Sequence, residues 1–162
     1  MTVDELGEYG LVRMTDDEIR RFLAGRSVGV LGLPAEGAPS MRPMSFAFDG
    51  ESRLYLLYVL GAESRKAALT ARAGTARFLV YSAETAFNWT SVLLAGTLDE
   101  VPDREREAAL DEVELAWRPD LFERAGDGLT TKLYEFRIDD CTGIEHMGLP
   151  PSFEPGPEES AG

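Results

Sequence analysis

Apolar residues fall in short blocks separated by glycine, proline and aspartate, and the period changes from block to block. Thr15-Asp16-Asp17-Glu18 is a capping box, and Ile19, Phe22 and Leu23 follow at helical spacing before Gly25, which predicts a short amphipathic helix. Ser27–Leu33 (SVGVLGL) is a buried strand whose Gly29 and Gly32 leave room for something close to the backbone. Ser40–Phe48 is a second strand interrupted by Pro43, which places it at an edge or a bulge because proline donates nothing to a ladder. Asp49-Gly50 is a hairpin signal, and Arg53–Leu60 (RLYLLYVL) is the return strand. A helix then opens on Ser64-Arg65-Lys66 and carries Ala67, Ala68 and Leu69 inward.

The second half repeats the theme. Thr75–Tyr81 is a strand, Ser82–Ala86 turns the chain, and Phe87–Leu98 is a long strand bent at Gly96. Asp103 caps a helix running to about Trp117. Thr130–Ile138 alternates Tyr134, Phe136 and Ile138 with Glu135 and Arg137, the signature of a half-exposed strand. Residues 1–14 read as a flexible arm, 15–147 as one domain, and 148–162, rich in Pro, Glu, Gly and Ser, as a disordered acidic tail. About six strands joined mostly by short hairpins give a mainly β chain (α+β by helix content), an antiparallel barrel with flanking helices rather than a doubly wound sheet.

Composition narrows the function. The chain of 162 residues has a formal net charge of −13, which opposes nucleic acid or an anionic membrane as a partner. No run is long and apolar enough to span a bilayer, the N-terminus has no signal-peptide pattern, and the single Cys141 cannot form an internal disulfide, so the expected compartment is cytoplasmic. Lysine occurs only at Lys66 and Lys132, and an acidic, lysine-poor, halophile-like surface suits a salty cytoplasm. One histidine, His146, and one cysteine cannot build a usual zinc site. His146 reads as a solvent-exposed or interface residue, and Cys141, after Asp139-Asp140, as a thiol of raised pKa. No metal is expected, and no catalytic residue is assigned; any reaction would be carried by a bound cofactor.

The candidate chemistry is anion binding. A helix N-terminus offers unpaired N–H groups and partial positive charge, and two cations beside it become favourable when an anion joins them. Ser64, Arg65 and Lys66 supply hydroxyl, guanidinium and ammonium, and Arg42 lies on the strand that the hairpin pairs with the strand leading there. Pro43, Met44 and Ser45 offer a surface for a planar ring, and Tyr58, Phe87 and Trp89 offer aromatic area. A phosphate beside a flat heteroaromatic ring describes flavin mononucleotide, FMN.

In the order of these elements the chain resembles the pyridoxamine 5'-phosphate oxidase-like, FMN-binding split-barrel family, in its flavin-nucleotide-binding or nitroimidazole-reductase-like branch. The resemblance spans roughly Thr15 to Gly96: the Thr-Asp-Asp-Glu-Ile helix, SVGVLGL, Arg42-Pro43-Met44, the Asp-Gly hairpin, Ser64-Arg65-Lys66, and Trp89-Thr90-Ser91-Val92. It implies a six-stranded antiparallel split β-barrel and a homodimer with FMN between the subunits. Arg42 to Ser45 would lie along the flavin, and Ser64, Arg65 and Lys66 would hold its phosphate. Ser91 would reach the cofactor from the neighbouring subunit, with Trp89 walling the ring. The C-terminal Arg- and Trp-containing motif of the vitamin B6 oxidases is missing, and Leu60 stands where they often carry a hydroxyl residue. The resemblance thus implies an FMN-dependent oxidoreductase acting on a small molecule other than pyridoxamine phosphate. Open alternatives are a deazaflavin-dependent reductase, a non-catalytic flavin binder or sensor, and a dimeric barrel with no cofactor.

Overall fold

A computed structural model describes residues 10–60, 70, 74–111 and 130–148. The described elements, in chain order, are β1 (Leu11–Arg13), α1 (Asp16–Ala24), β2 (Val28–Leu33), β3 (Ser40–Phe48), β4 (Arg53–Leu60), β5 (Ala76–Thr85), β6 (Asn88–Glu100), α2 (Asp103–Asp111) and β7 (Thr130–Met147). One antiparallel sheet runs β1-β7-β4-β3-β2-β5-β6, and β6 also pairs with β7. That second pairing closes β2 to β7 into a six-stranded barrel, with β1 as an extra strand on β7. The expected antiparallel barrel is the observed fold.

Closure depends on β7. Thr130–Arg137 pairs with β4, and the strand continues along β6 to Met147. Its register shifts opposite Ala95 and Gly96, where Ile138 and Asp140 are the paired residues and Asp139 is the extra one. A Cβ on Gly96 would fall on the Arg137 carbonyl oxygen. Only glycine lets the two backbones approach this closely at the bend, as the sequence anticipated. The barrel interior is filled by aliphatic and aromatic side chains, with Phe78 edge-on to Phe46 at 5.4 Å between ring centroids and Phe136 at 6.1 Å. Helix α1 packs Ile19 and Leu23 onto this core and begins with the predicted box, Thr15 Oγ1 accepting from Glu18 N–H while Glu18 Oε1 accepts from Thr15 N–H. A smaller cluster of Ala47, Tyr55, Leu57, Val101 and Leu133 packs with Ala109 and Leu110 of α2.

The structure departs from the expected elements in three places. Leu11–Arg13 is paired with β7 rather than part of a loose arm. β5 runs to Thr85, through the expected turn at Ser82–Ala86, as part of a polar ribbon with β6. β7 extends nine residues beyond Ile138, through a polar stretch whose alternation is broken by the extra Asp139. The expected reversal at Asp49-Gly50 is present: the β3–β4 connection spans Asp49 to Ser52, held by Asp49 Oδ1, which accepts from the N–H groups of Glu51, Ser52 and Arg53 at 2.8, 3.0 and 3.1 Å. The expected helix from Ser64, the stretch to Trp117 and the tail from Leu149 onward lie outside the described residues, Thr70 and the start of the second helix excepted. No described helix is long and apolar enough to cross a membrane.

Candidate functional site

The barrel opens between β3 and β4. These strands pair only at Phe46↔Leu56, Ala47↔Tyr55 and Phe48↔Leu54. Beyond Leu56, β4 stays with β7, while Ser40–Ser45 stays with β2. Among the described residues, Ser40–Ser45 therefore has no strand on its second edge.

The phase of that edge follows from one hydrogen bond. Phe46 N–H donates to the Ser27 carbonyl at 2.9 Å. Main-chain polar groups alternate along an antiparallel strand, so those of Met44 and Arg42 also face β2, and those of Ser45, Pro43 and Met41 face the open edge. Proline on that side forfeits no ladder bond. Pro43 is thus an edge residue; the bulge alternative is not realised, because β2 and β3 pair from Val28↔Ser45 to Leu33↔Ser40 without a shift.

Side chains alternate as well. Arg42 shares the inner face with buried Met44 and is itself exposed, while Pro43 and Ser45 are exposed on the outer face. A flat ligand lying on one face would meet half of the expected set; one placed against the open edge meets both halves. Arg42 has no ion pair among the described residues, whereas Lys132, one of the chain's two lysines, is held 3.7 Å from Glu100. Beside the edge, Gly25, Arg26, Val28, Pro43 and Tyr81 line a groove of about 480 Å³. Arg26, 5.0 Å above the Phe22 ring, adds a second cation. Sequence reasoning missed Arg26 and Tyr81. Alternation along β5 was the available signal for Tyr81, since it puts Leu79 and Tyr81 on the face opposite Phe78 and Val80.

The remaining expected residues are placed elsewhere. Ser64, Arg65 and Lys66 lie outside the described residues. Tyr58 is fully enclosed (0% exposed), with its hydroxyl 2.9 Å from that of Thr70 and its ring 4.4 Å from Tyr134, so it offers no surface to a ring. Burial, partly offset by the Thr70 hydrogen bond, pushes its hydroxyl up to about 12. Trp89 and Ser91 are half-buried on β6, opposite His146 and Ile144 of β7. In the order β3-β2-β5-β6, Ser91 is three strands, about 14 Å, from Ser45. One chain does not bring Trp89 and Ser91 to the β3 edge. Gly29 is not an approach for a ligand either, since a Cβ there would run into the Phe78 ring.

Two further residues have clear settings. His146 is buried rather than solvent-exposed, with its ring centroid 5.8 Å from those of both Phe87 and Trp89. The Cys141 thiol is pushed up, first by burial and then by the charges of Asp16 and Asp140. Among the described residues, no group of His, Cys, Asp and Glu is arranged to hold a metal.

The outer face of the β3-β2-β5-β6 wall carries an apolar patch, with Arg77, Ser45 and Ser91 on the same face. Val28, Met41, Tyr81 and Leu93 are 57, 65, 58 and 43% exposed. Register puts Pro43 opposite Val30, Val30 opposite Leu79 and Leu79 opposite Leu93, all on this face. On a chain of net charge −13, a patch of this kind is a candidate interaction surface.

The profile of the pyridoxamine 5'-phosphate oxidase family matches residues 15–145. The chain belongs to this family. None of the curated proteins matches the sequence. Among solved structures, an FAD-binding protein from Mesorhizobium loti superimposes with a TM-score of 0.69 at 17% identity, over 85% of this chain and 99% of that one. An FAD-binding protein from Mycobacterium smegmatis gives 0.61 at 15% identity, over 85% and 100%. A candidate 5-nitroimidazole antibiotic resistance protein from Bacteroides thetaiotaomicron gives 0.61 at 17% identity, over 83% and 87%. At these identities the likeness establishes the fold, which is the split barrel of the family.

Proposed function

We propose that this family member binds a flavin mononucleotide and works as an oxidoreductase on a small molecule. The observation that carries the reading is the unpaired edge of β3, flanked by exposed Arg42, Pro43 and Ser45, in a fold shared with proteins named as FAD-binding. The residues present fit the group. The edge offers main-chain donors and acceptors to a heteroaromatic rim, and Arg42 supplies a cation for an anionic ligand. Ser64, Arg65 and Lys66, outside the described residues, would supply the hydroxyl and the two cations for the phosphate. A bound flavin supplies reversible transfer of hydride or single electrons; the chain's own residues bind it, orient it and exclude water on one side.

A homodimer completes the site in this reading. The apolar wall from Met41 to Leu93 is the face a second copy would cover, and Ser91 and Trp89 of that copy would reach the edge that the first copy leaves open. The fold relatives named for FAD make the choice between mono- and dinucleotide a question for mass spectrometry of the released ligand, which also distinguishes a deazaflavin. Replacing Arg65→Ala and Lys66→Ala together removes both proposed phosphate cations, and the purified protein loses its yellow colour. Stoichiometric flavin retained by that variant refutes the phosphate site.

A further inference from the structure

The β4-β7-β6 wall carries α2 on its outer face, where Leu57, Leu133 and Val101 form an apolar row with Ala109 and Leu110 packed on it. The next row across the strands is Tyr55, Glu135 and Asp99, and the one after it is Arg53, Arg137 and Thr97. Like charges thus stand directly opposite each other twice, carboxylate beside carboxylate and guanidinium beside guanidinium, which disfavours the bare surface. Glu105, Ala108 and Ala109 of α2 form the other side of a groove of about 410 Å³ above these rows. None of the residues proposed for the flavin lines it.

Pairing within the chain accounts for only part of this charge. Arg53 Nε lies 3.5 Å from Glu135 Oε1, and Lys132 Nζ lies 3.7 Å from Glu100 Oε1. Arg137 and Asp99 are diagonal neighbours, as Arg53 and Glu135 are, but they do not close into an ion pair. Arg137, Asp99 and Glu105 are exposed, and none has an ion-pair partner among the described residues. The groove therefore keeps one uncompensated guanidinium and two uncompensated carboxylates, with Val101, Pro102, Ala108 and Ala109 adding apolar lining. A simple anion or cation answers one sign and is opposed by the other. Successive rows on one face of a sheet are about 7 Å apart, two residues of strand rise, so a ligand that answers both signs needs its charges separated by a short chain.

We propose that this groove binds a small zwitterion, an ω-amino carboxylate whose carboxylate meets Arg137, whose ammonium meets Asp99 and Glu105, and whose methylene chain lies on the apolar lining. A guanidinium suits the planar carboxylate because it can donate two parallel N–H bonds, and an ammonium is a point charge that two carboxylates can share.

The test is a titration of the full chain, followed by amide chemical shifts in nuclear magnetic resonance, with 5-aminopentanoate, pentanoate, pentylamine and glycine. 5-Aminopentanoate carries both charges on four methylene groups, pentanoate and pentylamine carry one charge each, and the charges of glycine are too close together to span two rows. 5-Aminopentanoate should shift the amides of Arg137, Asp99 and Glu105 saturably, with an affinity at least about tenfold above that of each other compound, the size of one charge-assisted contact. Arg137→Gln should lower its affinity to that of pentylamine, and Asp99→Asn should weaken it by about tenfold. Both side chains are exposed, so the variants should keep the parent's circular dichroism spectrum. No saturable shift at these residues in the millimolar range overturns the proposal. So does a single-charge compound or glycine that binds as tightly as 5-aminopentanoate, or a parent-like affinity in Arg137→Gln. If Arg137→Gln fails to fold, Asp99→Asn decides the matter from the other end of the ligand.

Discussion

Leu93→Asp on the outer wall is the sharpest test of how the molecule assembles. Leu93 lies on β6 opposite Leu79 on one side and Thr142 on the other, and 43% of it is exposed in the single chain. Full burial of a leucine side chain is worth about 1.5–3 kcal/mol, so covering the exposed portion contributes about 1 kcal/mol per copy. A two-fold interface uses the position twice, which gives about 2 kcal/mol, or roughly thirtyfold in the dimer dissociation constant. Aspartate removes that gain and also asks an unpaired carboxylate to leave water at each copy, a further cost of at least about 1–2 kcal/mol per site even where it is partly solvated. Together these predict a dissociation constant raised by about a thousandfold or more. The folded chain itself should be nearly unaffected, because the side chain points away from the barrel core. Sedimentation velocity at micromolar protein reads the result: the parent runs as a dimer, the variant as a monomer with an unchanged circular dichroism spectrum. A parent that sediments as a monomer, or a variant that remains a dimer across the same concentrations, refutes the assignment of this face.

Other consequences follow from the core and the bend. In Gly96→Ala the new methyl group would occupy the place of the Arg137 carbonyl, so β6 and β7 must separate; a loss of about 3 kcal/mol is expected, read as a fall in the urea midpoint. An unchanged midpoint would show that the bend is not held by glycine. Alkaline pH should act through Tyr58. Its folded-state value of about 12 lies above the ordinary tyrosine value of about 10, so its contribution is whole below pH 10 and is lost as pH rises towards 12. The two-unit gap corresponds to about 2–3 kcal/mol, and Tyr58→Phe should abolish most of that slope in urea titrations between pH 9 and 12 at roughly constant ionic strength. An identical slope in the variant would assign the alkaline loss to other groups.

Much of the barrel is legible in the chain because its local signals agree with its global path. The capping box at Thr15 and Glu18, the Asp49-Gly50 reversal and the solitary Gly96 in an apolar strand each specify one event, and each occurs there. The continuous apolar runs VGVLGL and FLVY carry a second message. An antiparallel strand wetted on one face alternates, whereas these are apolar on both faces, which is the sequence signal for the exposed apolar patch on the outer wall. What the sequence conceals is equally physical. The end of β7 is polar and interrupted by Asp139, which destroys the two-residue period a strand is recognised by. The ribbon at Ser82–Thr85 has no core beneath it and so no apolar face to advertise it. Tyr58 looks like any aromatic ring available for stacking until the fold shows it enclosed, with Thr70 at its hydroxyl. Of the expected site residues, Arg42 to Ser45 lie along an open edge, but Trp89 and Ser91 stand three strands away on the outer wall, a separation set by strand order that no local pattern reveals.

The central claim is that the open edge of β3 exists to hold a flavin nucleotide. The most direct measurement is the visible absorption spectrum of the purified chain together with an FMN titration of the ligand-stripped protein, followed by mass spectrometry of what heat releases. The account predicts flavin bands, quenching of FMN fluorescence that saturates at one FMN per chain, and a weaker, non-stoichiometric response once Arg42→Ala removes the cation at the edge. A colourless protein whose addition leaves FMN fluorescence unchanged at micromolar concentrations would contradict it.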